Sequence, residues 1–457
     1  MDEINANKNN PTDMASKFMI TEAMTSTAFS NIGTDPTFYA SCYIEYFVGI
    51  FNQFYIAEIR GAQADQSTTY NNAWSSIYST LKDLKICINK CSEGGSEAGN
   101  YHCLGMAQTL TAYNLALLTD LFGDVPWTEA LRPGEIYTPK LDSQESIYQA
   151  VFALLDDAIA NFGKECTFTV GSQDLYYGNN IDLWTKFAYG LKARYTMRLL
   201  LRSSDKNADL QNVIEYANKS FQSPDEEAKF ALYDGKSAVS PFYRFYQDRN
   251  YLGASKSFDD LLVELEDPRE PIYYKEVEGK DFLLAPNGKP KQQQGLYAIS
   301  GITNATAPTF LLSYHEVEFL KAEAYARLGN TADAQNACAN GIKAACKKTN
   351  VNVPDDQIDE YVDKVKSRMN GSAALKEVAV QKYIAFYEEE AAEAYNDIRR
   401  WKALGEDHIS LAHPQPNKFP LRFAYGSSDV TANTNVYNAF ETVKVYEDNV
   451  WWAGGSR

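Results

Sequence analysis

Residues 313–346 read SYHEVEFLKAEAYARLGNTADAQNACANGIKAAC and contain the strongest structural signal in the chain. Apolar residues recur with helical spacing through residues 314–328 and again through residues 331–346, and Gly329-Asn330 stands between the two runs. Alanine recurs in both runs, which lets two antiparallel helices approach closely, while Tyr325 and Leu328 fill the space between them. The pattern predicts a helical hairpin of the tetratricopeptide type.

Weaker helical patterns precede this hairpin, and irregular segments surround it. Segments with helical spacing occur in pairs around residues 70–122 and again around residues 144–221, which predicts further helical hairpins. Segments rich in Tyr, Asn, Gln and Gly lack clean periodicity, around residues 60–74, 233–308 and 408–457. Long irregular segments of a compact protein commonly carry its function. We therefore predict a mainly α fold of one domain over residues 1–457, in which helical hairpins form a scaffold and a loop-rich half carries the ligand loops.

A further helix is predicted over residues 373–404. It contains the acidic run Glu388-Glu389-Glu390 and closes with Arg399-Arg400-Trp401. We interpret the acidic run as a solvated helix face, with an ion site as the alternative. The two arginines are expected to complement the helix dipole at its C-terminal end.

Charge and composition describe an acidic globular chain. It has 43 Lys and Arg against 60 Asp and Glu, a formal net charge of −17. Binding of nucleic acid and adsorption to an anionic membrane both depend on clustered cations, so this balance disfavours both. No apolar run approaches the length of a membrane-spanning helix. Tyr is the commonest aromatic residue, at 31 against 23 Phe and 6 Trp, and its flat face with a polar tip suits a half-exposed ligand site.

Signatures of catalysis are missing from the sequence. It has no dinucleotide-binding or phosphate-binding glycine loop, no HExxH helix and no GxSxG elbow. The four histidines are scattered along the chain, and we assign them structural roles. The many carboxylates leave a glycosidase pair open, because such a pair needs the right separation rather than a local pattern. We predict a binding protein that is not an enzyme.

The seven cysteines form no CxxC pair. Cys87 and Cys91 lie four residues apart and Cys338 and Cys346 eight apart, so each pair shares a helix face. We interpret the cysteines as small buried hydrophobic side chains rather than disulfides or metal ligands. The sequence predicts neither a metal site nor a cofactor.

The residue mixture favours carbohydrate binding, because sugars offer apolar faces for stacking and hydroxyl groups for hydrogen bonds. Residues 60–74 follow one helix and begin another, so Asp65 and Tyr70 are expected to lie in the loop. Trp74, four residues before Tyr78, is expected to lie mainly in the core. The candidate ligand-binding residues are Asp65, Tyr70, Trp74, Tyr243, Tyr246, Arg249 and Tyr297. A few stacked rings predict an affinity that is micromolar to millimolar, which suits capture followed by release.

Several short motifs follow one another in a fixed order along the chain. The most specific is LFGDVPW at residues 121–127, followed by Glu129-Ala130. The others are DLYYG at residues 174–178 with residues 184–198, Asp267-Pro268-Arg269, residues 316–329, AYNDIRR at residues 394–400, and Pro420, Arg422 and Tyr425. Together they resemble the SusD/RagB family, the surface glycan-binding lipoproteins of Bacteroidetes. Most of the matched residues have a structural explanation, such as helix ends at Gly123 and Pro126 and ion pairs of Arg399 and Arg400.

The resemblance implies a lipid-anchored outer-membrane protein at the cell surface with a SusD-like α/α superhelix. It implies that the protein captures oligosaccharides and passes them uncleaved to a SusC-like TonB-dependent transporter. Some members of the family handle peptides, so a RagB-like peptide-binding role remains an alternative. Residues 4–12 resemble the stretch that follows the family's lipidated cysteine, although that cysteine is absent here. Gly426 and Asp429 replace the family's Pro and Glu, so the C-terminal turn is expected to be looser.

Overall fold

The computed structural model describes residues 14–456, and residues 4–12, which resemble the segment after a lipid anchor, lie outside that range. The predicted mainly α fold class is confirmed. In chain order the α-helices are α1 Ser16–Ser26, α2 Asp35–Tyr43, α3 Asn52–Glu58, α4 Asn71–Cys91, α5 Tyr101–Phe122, α6 Gln144–Phe162, α7 Ile181–Arg198, α8 Lys206–Asn218, α9 Pro241–Asp248, α10 Lys256–Glu264, α11 Glu270–Tyr273, α12 Tyr314–Arg327, α13 Thr331–Cys346, α14 Asp355–Arg368, α15 Ala373–Ala385, α16 Ala391–Ala403, α17 Ser427–Val430 and α18 Thr434–Phe440. Across the described range, none of these helices is both long and apolar enough to span a membrane.

The strands are short and serve to join the loop-rich half together. They are β1 Phe47–Gly49, β2 Ala228–Phe230, β3 Leu252–Ala254, β4 Tyr274–Lys275, β5 Ile299–Ser300 and β6 Thr309–Leu312. They pair antiparallel as separate two-stranded ribbons, β1 with β3, β2 with β6 and β4 with β5. The first ribbon places Val48 opposite Gly253 and thereby joins the segment after α2 to the segment after α9.

Helices α12 and α13 form a hairpin whose ends follow from local sequence. The Ser313 side chain accepts a hydrogen bond from the backbone of Glu316 at 3.1 Å and begins α12. Gly329, with a φ of 78°, lets the chain turn back, and Asn330 caps α13. A Cβ atom on Gly341 would lie 2.9 Å from the ring of Phe319, so glycine is needed for the helices to approach this closely.

Helices α4 to α8 form the rest of the scaffold around α5. Side chains of α5 are buried all the way from Cys103 to Phe122, so this helix is the centre of the core. It packs between α4 and α6, and α7 pairs with α8 beyond them. The helix ends where Gly123 adopts a φ of 77°, as the motif LFGDVPW predicted.

The predicted helix over residues 373–404 is interrupted, and this part of the prediction is wrong. Helix α15 ends at Ala385 and α16 begins at Ala391, with a turn between them in which Glu388 has a φ of 67°. The acidic run is also not a solvated face. The Glu389 carboxylate pairs with Lys348 at 3.0 Å, and the Glu390 side chain is buried against Ser313 and His315. Cations and hydroxyls from distant segments compensate for this burial.

Residues of two separate sequence motifs meet as buried ion pairs. The Glu323 carboxylate of α12 binds both terminal nitrogens of Arg400 of α16 at 2.7 Å. Asp397 pairs with Lys382 at 2.6 Å and with Arg400 at 2.8 Å. Arg399 donates to the backbone oxygen of Asp120 at 2.7 Å. The structural explanation of the paired arginines is therefore confirmed.

Two further motifs have local structural roles. The Asp174 carboxylate accepts hydrogen bonds from the backbone of Tyr176 and Asn179 and from the indole of Trp184 at 2.8 Å. The Asp267 carboxylate binds Arg269 through two nitrogens, at 2.8 and 2.6 Å, with both side chains fully buried. Such two-point pairing fixes the direction of a buried turn.

Candidate functional site

The structure places Tyr70 and Trp74 in the core, where neither ring offers a face to a ligand. Tyr70 is 0% exposed, and its ring stacks on Phe423 at 4.0 Å. Tyr70 does lie in the loop before α4, as expected, but its side chain points inward and not towards a ligand. Trp74 is also 0% exposed, as its helical spacing indicated.

Trp74 also explains the two departures near the C-terminus. Its indole nitrogen donates to Asp429 at 2.6 Å. A Cβ atom on Gly426 would lie 2.5 Å from the Trp74 ring, so glycine is needed at this position. The expectation of a looser turn is wrong, because Gly426 and Asp429 both hold the turn against α4.

Tyr297 and Asp65 also have structural contacts. Tyr297 is 4% exposed, and its hydroxyl accepts a hydrogen bond from the backbone of Lys291 at 2.8 Å. Asp65 is half-buried, and its carboxylate accepts a hydrogen bond from the backbone of Val445 at 2.8 Å. Tyr297 is therefore a core residue, and Asp65 joins the loop after α3 to the C-terminal segment.

The remaining candidates lie together on α9 and remain open to solvent. Phe242 and Phe245 face the core, where Phe245 stacks on Phe38 at 4.3 Å. Tyr243 and Tyr246 are half-buried on the same short helix, and Arg249 directly after it is exposed. Helix α9 thus presents two half-buried tyrosines and a cation beside phenylalanines that pack on the core.

This division predicts that two tyrosine substitutions lower the stability by different amounts. Tyr70→Ala is expected to lower the free energy of unfolding by about 3–5 kcal/mol, because it leaves a cavity against Phe423. Tyr246→Ala is expected to lower it by less than about 1 kcal/mol, because much of that ring is already in water. Urea denaturation of both variants checks the pair. Equal losses would show that α9 belongs to the core.

A polar cleft of about 370 Å³ lies between α2, α3 and the first turn of α4. We name it the amide cleft, after the side chains that line its rim: Asp35, Gln53, Gln63, Gln66, Thr68, Thr69 and Asn72. Tyr39 and Tyr43 form its floor, with Ile56 and two alanines on its wall. Helix α9 packs through Phe245 on Phe38 of α2 and on Phe54 of α3, the two helices that border the cleft.

Hydrogen bonds and burial define the charge state at the rim of the cleft. Asn72 Nδ2 donates to Asp35 at 3.1 Å. Burial raises the pKa of Asp35, and the hydrogen bond from Asn72 opposes that rise. Burial, with Asp35 nearby, raises the pKa of Tyr39 well above its ordinary value, so its hydroxyl stays neutral. The cleft therefore offers amides, hydroxyls and one carboxyl group rather than a strong charge.

Ionisable groups at the C-terminal end of α3 join this helix to neighbouring loops. The Glu58 carboxylate accepts hydrogen bonds from the backbone of Gly288 at 2.6 Å and Gly49 at 3.2 Å. Burial raises the pKa of Glu58 to about 7, although Arg60 and these bonds oppose the rise. Burial lowers the pKa of His413 to about 4, with Arg60 acting in the same direction.

Sequence reasoning missed most of the amide cleft. Gln53, Gln63 and Gln66 come from α3 and the turn after it, and Asp35 comes from the start of α2. The available signal is the high frequency of Gln, Thr and Asn in residues 53–72, from which Asp65 and Tyr70 are predicted as ligand residues. Only the approach of α2 to this segment shows which side chains converge.

A sequence model of the SusD-like family, described as starch-binding and associating with the outer membrane, matches residues 8–425. The chain belongs to the SusD-like family. The resemblance drawn from the motifs is therefore confirmed. Among curated proteins, no sequence matches this SusD-like chain.

Solved structures agree with the assignment. A SusD/RagB family protein from Bacteroides thetaiotaomicron is 43% identical with a TM-score of 0.90, covering 97% of this chain and 100% of that chain. A chitin-binding protein is 21% identical with a TM-score of 0.76, covering 96% of this chain and 100% of that chain. A chitin-binding SusD homologue from Flavobacterium johnsoniae is 17% identical with a TM-score of 0.75, covering 95% of this chain and 98% of that chain. The last two share the fold.

A second cleft of this SusD-like protein, of about 540 Å³, lies between α10, α15 and residues 408–412. Glu264 is one of the four acidic residues that line it, and the other three have partners within the protein. Asp260 pairs with Lys256 at 2.6 Å, and Glu377 pairs with Arg368 at 2.8 Å. Glu45 accepts hydrogen bonds from the backbone of residues 412 and 413. Glu377 and Glu45 thereby join separate segments of the cleft wall.

Proposed function

We propose that this SusD-like protein captures an oligosaccharide in the amide cleft, with the tyrosines of α9 as a further contact surface, and releases it chemically unchanged. The observation that carries the proposal is the cleft itself: a rim of amides and hydroxyls on a scaffold of a starch-binding family. Amide groups both donate and accept hydrogen bonds, which matches the hydroxyl groups of a sugar. Tyr243 and Tyr246 supply half-exposed ring surface for stacking on α9, which packs on α2 and α3.

The lining of the cleft supports binding rather than hydrolysis. A glycosidase places two carboxyl groups across the scissile bond. Among the described residues that line the amide cleft, Asp35 is the one with a carboxyl group, and Asn72 donates a hydrogen bond to it. A hydrolase would therefore need a second acid from elsewhere.

The proposed destination of the cargo is a SusC-like TonB-dependent transporter, with the protein held at the cell surface by an N-terminal lipid anchor. The description of the family as associating with the outer membrane supports this placement. A binding site of modest affinity also suits transfer, because a ligand that is held weakly leaves quickly. Co-purification of the transporter from outer membranes would test the partnership, and recovery of a soluble partner alone would contradict it.

The binding proposal predicts a defined loss in a double variant. Gln53→Ala/Asn72→Ala should raise the Kd for the bound oligosaccharide about tenfold, because each lost hydrogen bond contributes about 0.5–1.5 kcal/mol. The matched control is Gln211→Ala/Asn207→Ala, which removes one Gln and one Asn from the exposed face of α8 on the scaffold. Calorimetry with maltooligosaccharides, chitooligosaccharides and peptides provides the measurement.

The ligand panel also separates the alternatives. Binding of a glycan that the cleft variant weakens and the control preserves supports the proposal. Binding of peptides alone would replace it with a RagB-like role, since side-chain amides also pair with peptide backbones. Release of shorter sugars during long incubation would show a hydrolase instead.

A further inference from the structure

Three cysteine side chains meet inside the scaffold. Cys87 and Cys91 lie on α4, Cys103 lies on α5, and all three are buried. Their sulfur atoms all lie within 4.8 Å of one another, and those of Cys87 and Cys103 are 3.9 Å apart. No other group of three potential metal-ligating side chains is this close within residues 14–456.

Helix geometry and a fixed turn bring these sulfurs together. Cys87 and Cys91 are one helical turn apart and share the face of α4 that packs on α5. The turn between the two helices is held by Glu97, whose backbone donates to the carbonyl of Lys90 at 2.8 Å. The Glu97 carboxylate also accepts a hydrogen bond from Asn100 at 3.0 Å, directly before α5. The donors are therefore arranged by the fold rather than by a ligand.

The distance between the sulfurs of Cys87 and Cys103 is compatible with two thiolates that bind one metal ion. A disulfide requires about 2.05 Å between sulfurs, and it would leave the third thiol unpaired. A Zn–S bond is about 2.3 Å, so tetrahedral thiolates around one ion lie about 3.8 Å apart. The 3.9 Å between Cys87 and Cys103 is close to that value.

Ser16 provides an oxygen beside the thiols. It begins α1, is 0% exposed, and its hydroxyl lies against the thiols of Cys87 and Cys91. Its carbonyl oxygen lies 3.9 Å from the sulfur of Cys87. A thiol is a weak hydrogen-bond partner, so a metal ion would interact more strongly with this buried hydroxyl.

We propose that Cys87, Cys91 and Cys103 bind one Zn²⁺ ion, with the Ser16 hydroxyl as the fourth ligand. Binding releases the three thiol protons and leaves a net charge of −1 on the buried complex. Cu⁺ also binds thiolates well, but its complex with the same ligands would carry a net charge of −2. Burying that larger charge in the protein interior would cost more free energy. The ion joins α1 to the pair formed by α4 and α5.

The three other buried cysteines do not form such a cluster. Cys338 and Cys346 are buried on α13, and Cys42 is buried at the end of α2, without a third ligating group close by in the described structure. They retain their interpretation as small hydrophobic side chains. Cys338→Ser is therefore a matched control, since it changes a fully buried helical cysteine outside the cluster.

Metal titration of the reduced, metal-free protein tests the site. Co²⁺ is expected to produce sulfur-to-cobalt charge-transfer absorption that saturates at one equivalent and is displaced by Zn²⁺. Cys103→Ser should weaken Zn²⁺ binding by on the order of 100-fold, and Cys338→Ser should leave it unchanged. Ser16→Ala should weaken it about tenfold with the stoichiometry preserved. Zn²⁺ should raise the Tm of the wild type by about 5 °C, because it binds the folded state.

A measurement on the wild type keeps the test valid if the variants fold poorly. Zn²⁺ should protect Cys87, Cys91 and Cys103 from alkylation and leave the labelling of the half-buried Cys166 unchanged. The proposal would be overturned by the absence of thiolate absorption with Co²⁺, by equal Zn²⁺ affinity in Cys103→Ser, or by a Cys87–Cys103 disulfide in protein isolated from cell envelopes. Binding of Cu⁺ without Zn²⁺ would overturn the assignment of the ion.

Discussion

Glu323→Ala is expected to lower the free energy of unfolding by about 3–5 kcal/mol. The substitution removes the carboxylate that Arg400 and Arg327 share, so each keeps a single acidic partner, Asp397 for Arg400 and Glu406 for Arg327. Breaking a buried ion-pair network in this way is strongly destabilising. Burial favours the protonated form of Glu323, but Arg400 and Arg327 hold its pKa well below the ordinary value. This stabilisation is therefore fully present above the pKa that Glu323 has in the unfolded chain. It is lost as the pH falls towards the lower pKa that Glu323 has in the folded protein.

An exposed ion pair of the same length is the control for this prediction. The Glu215 carboxylate lies 2.7 Å from Lys219 on the surface of α8, as Glu323 lies 2.7 Å from Arg400 in the core. Glu215→Ala should leave the unfolding transition almost unchanged, because solvent screens an exposed pair. Urea denaturation of both variants near neutral pH provides the comparison. Similar midpoints would show that the network around Arg400 contributes little.

Glu388→Gln is expected to stabilise the protein in alkaline solution and to reduce its pH dependence. Burial raises the pKa of Glu388 to about 8, although a hydrogen bond from Ser300 opposes the rise. The unfolded chain loses this proton near pH 4.5, so the wild type loses stability as the pH rises from about 4.5 to about 8. A glutamine reproduces the protonated shape without the charge. The expected gain is on the order of 3 kcal/mol at pH 8.

Denaturation at several pH values between 5 and 8.5 isolates the contribution of Glu388. Glu58, with its pKa of about 7, weakens the wild type in the same direction, while His413 weakens it as the pH falls from about 6.5 to about 4. Both groups are unchanged in Glu388→Gln, so the difference between the two profiles reports Glu388. Glu441→Gln, at an exposed position, should follow the wild type. Parallel profiles for wild type and Glu388→Gln would show that Glu388 is already ionised in the folded protein.

The buried charges also explain why the family motifs are poor guides to the ligand. Glu323, Asp397 and Arg400 belong to motifs far apart in sequence, yet they form one ion-pair network in the core. Asp174 and Asp267 hold local turns. The motifs therefore specify the scaffold, whereas the proposed ligand residues lie in segments outside them.

The sequence alone determined the helical hairpins and the family. Helical spacing, the Gly329 turn and the cap at Asn330 act within a few residues, so their pattern is visible locally. The tertiary structure decided which of these side chains are buried. It placed Tyr70 on Phe423, turned the acidic run inward at Glu388, gathered the rim of the amide cleft and brought Cys103 to Cys87. Burial and proximity depend on contacts between segments that are far apart in the chain, and no local pattern encodes them.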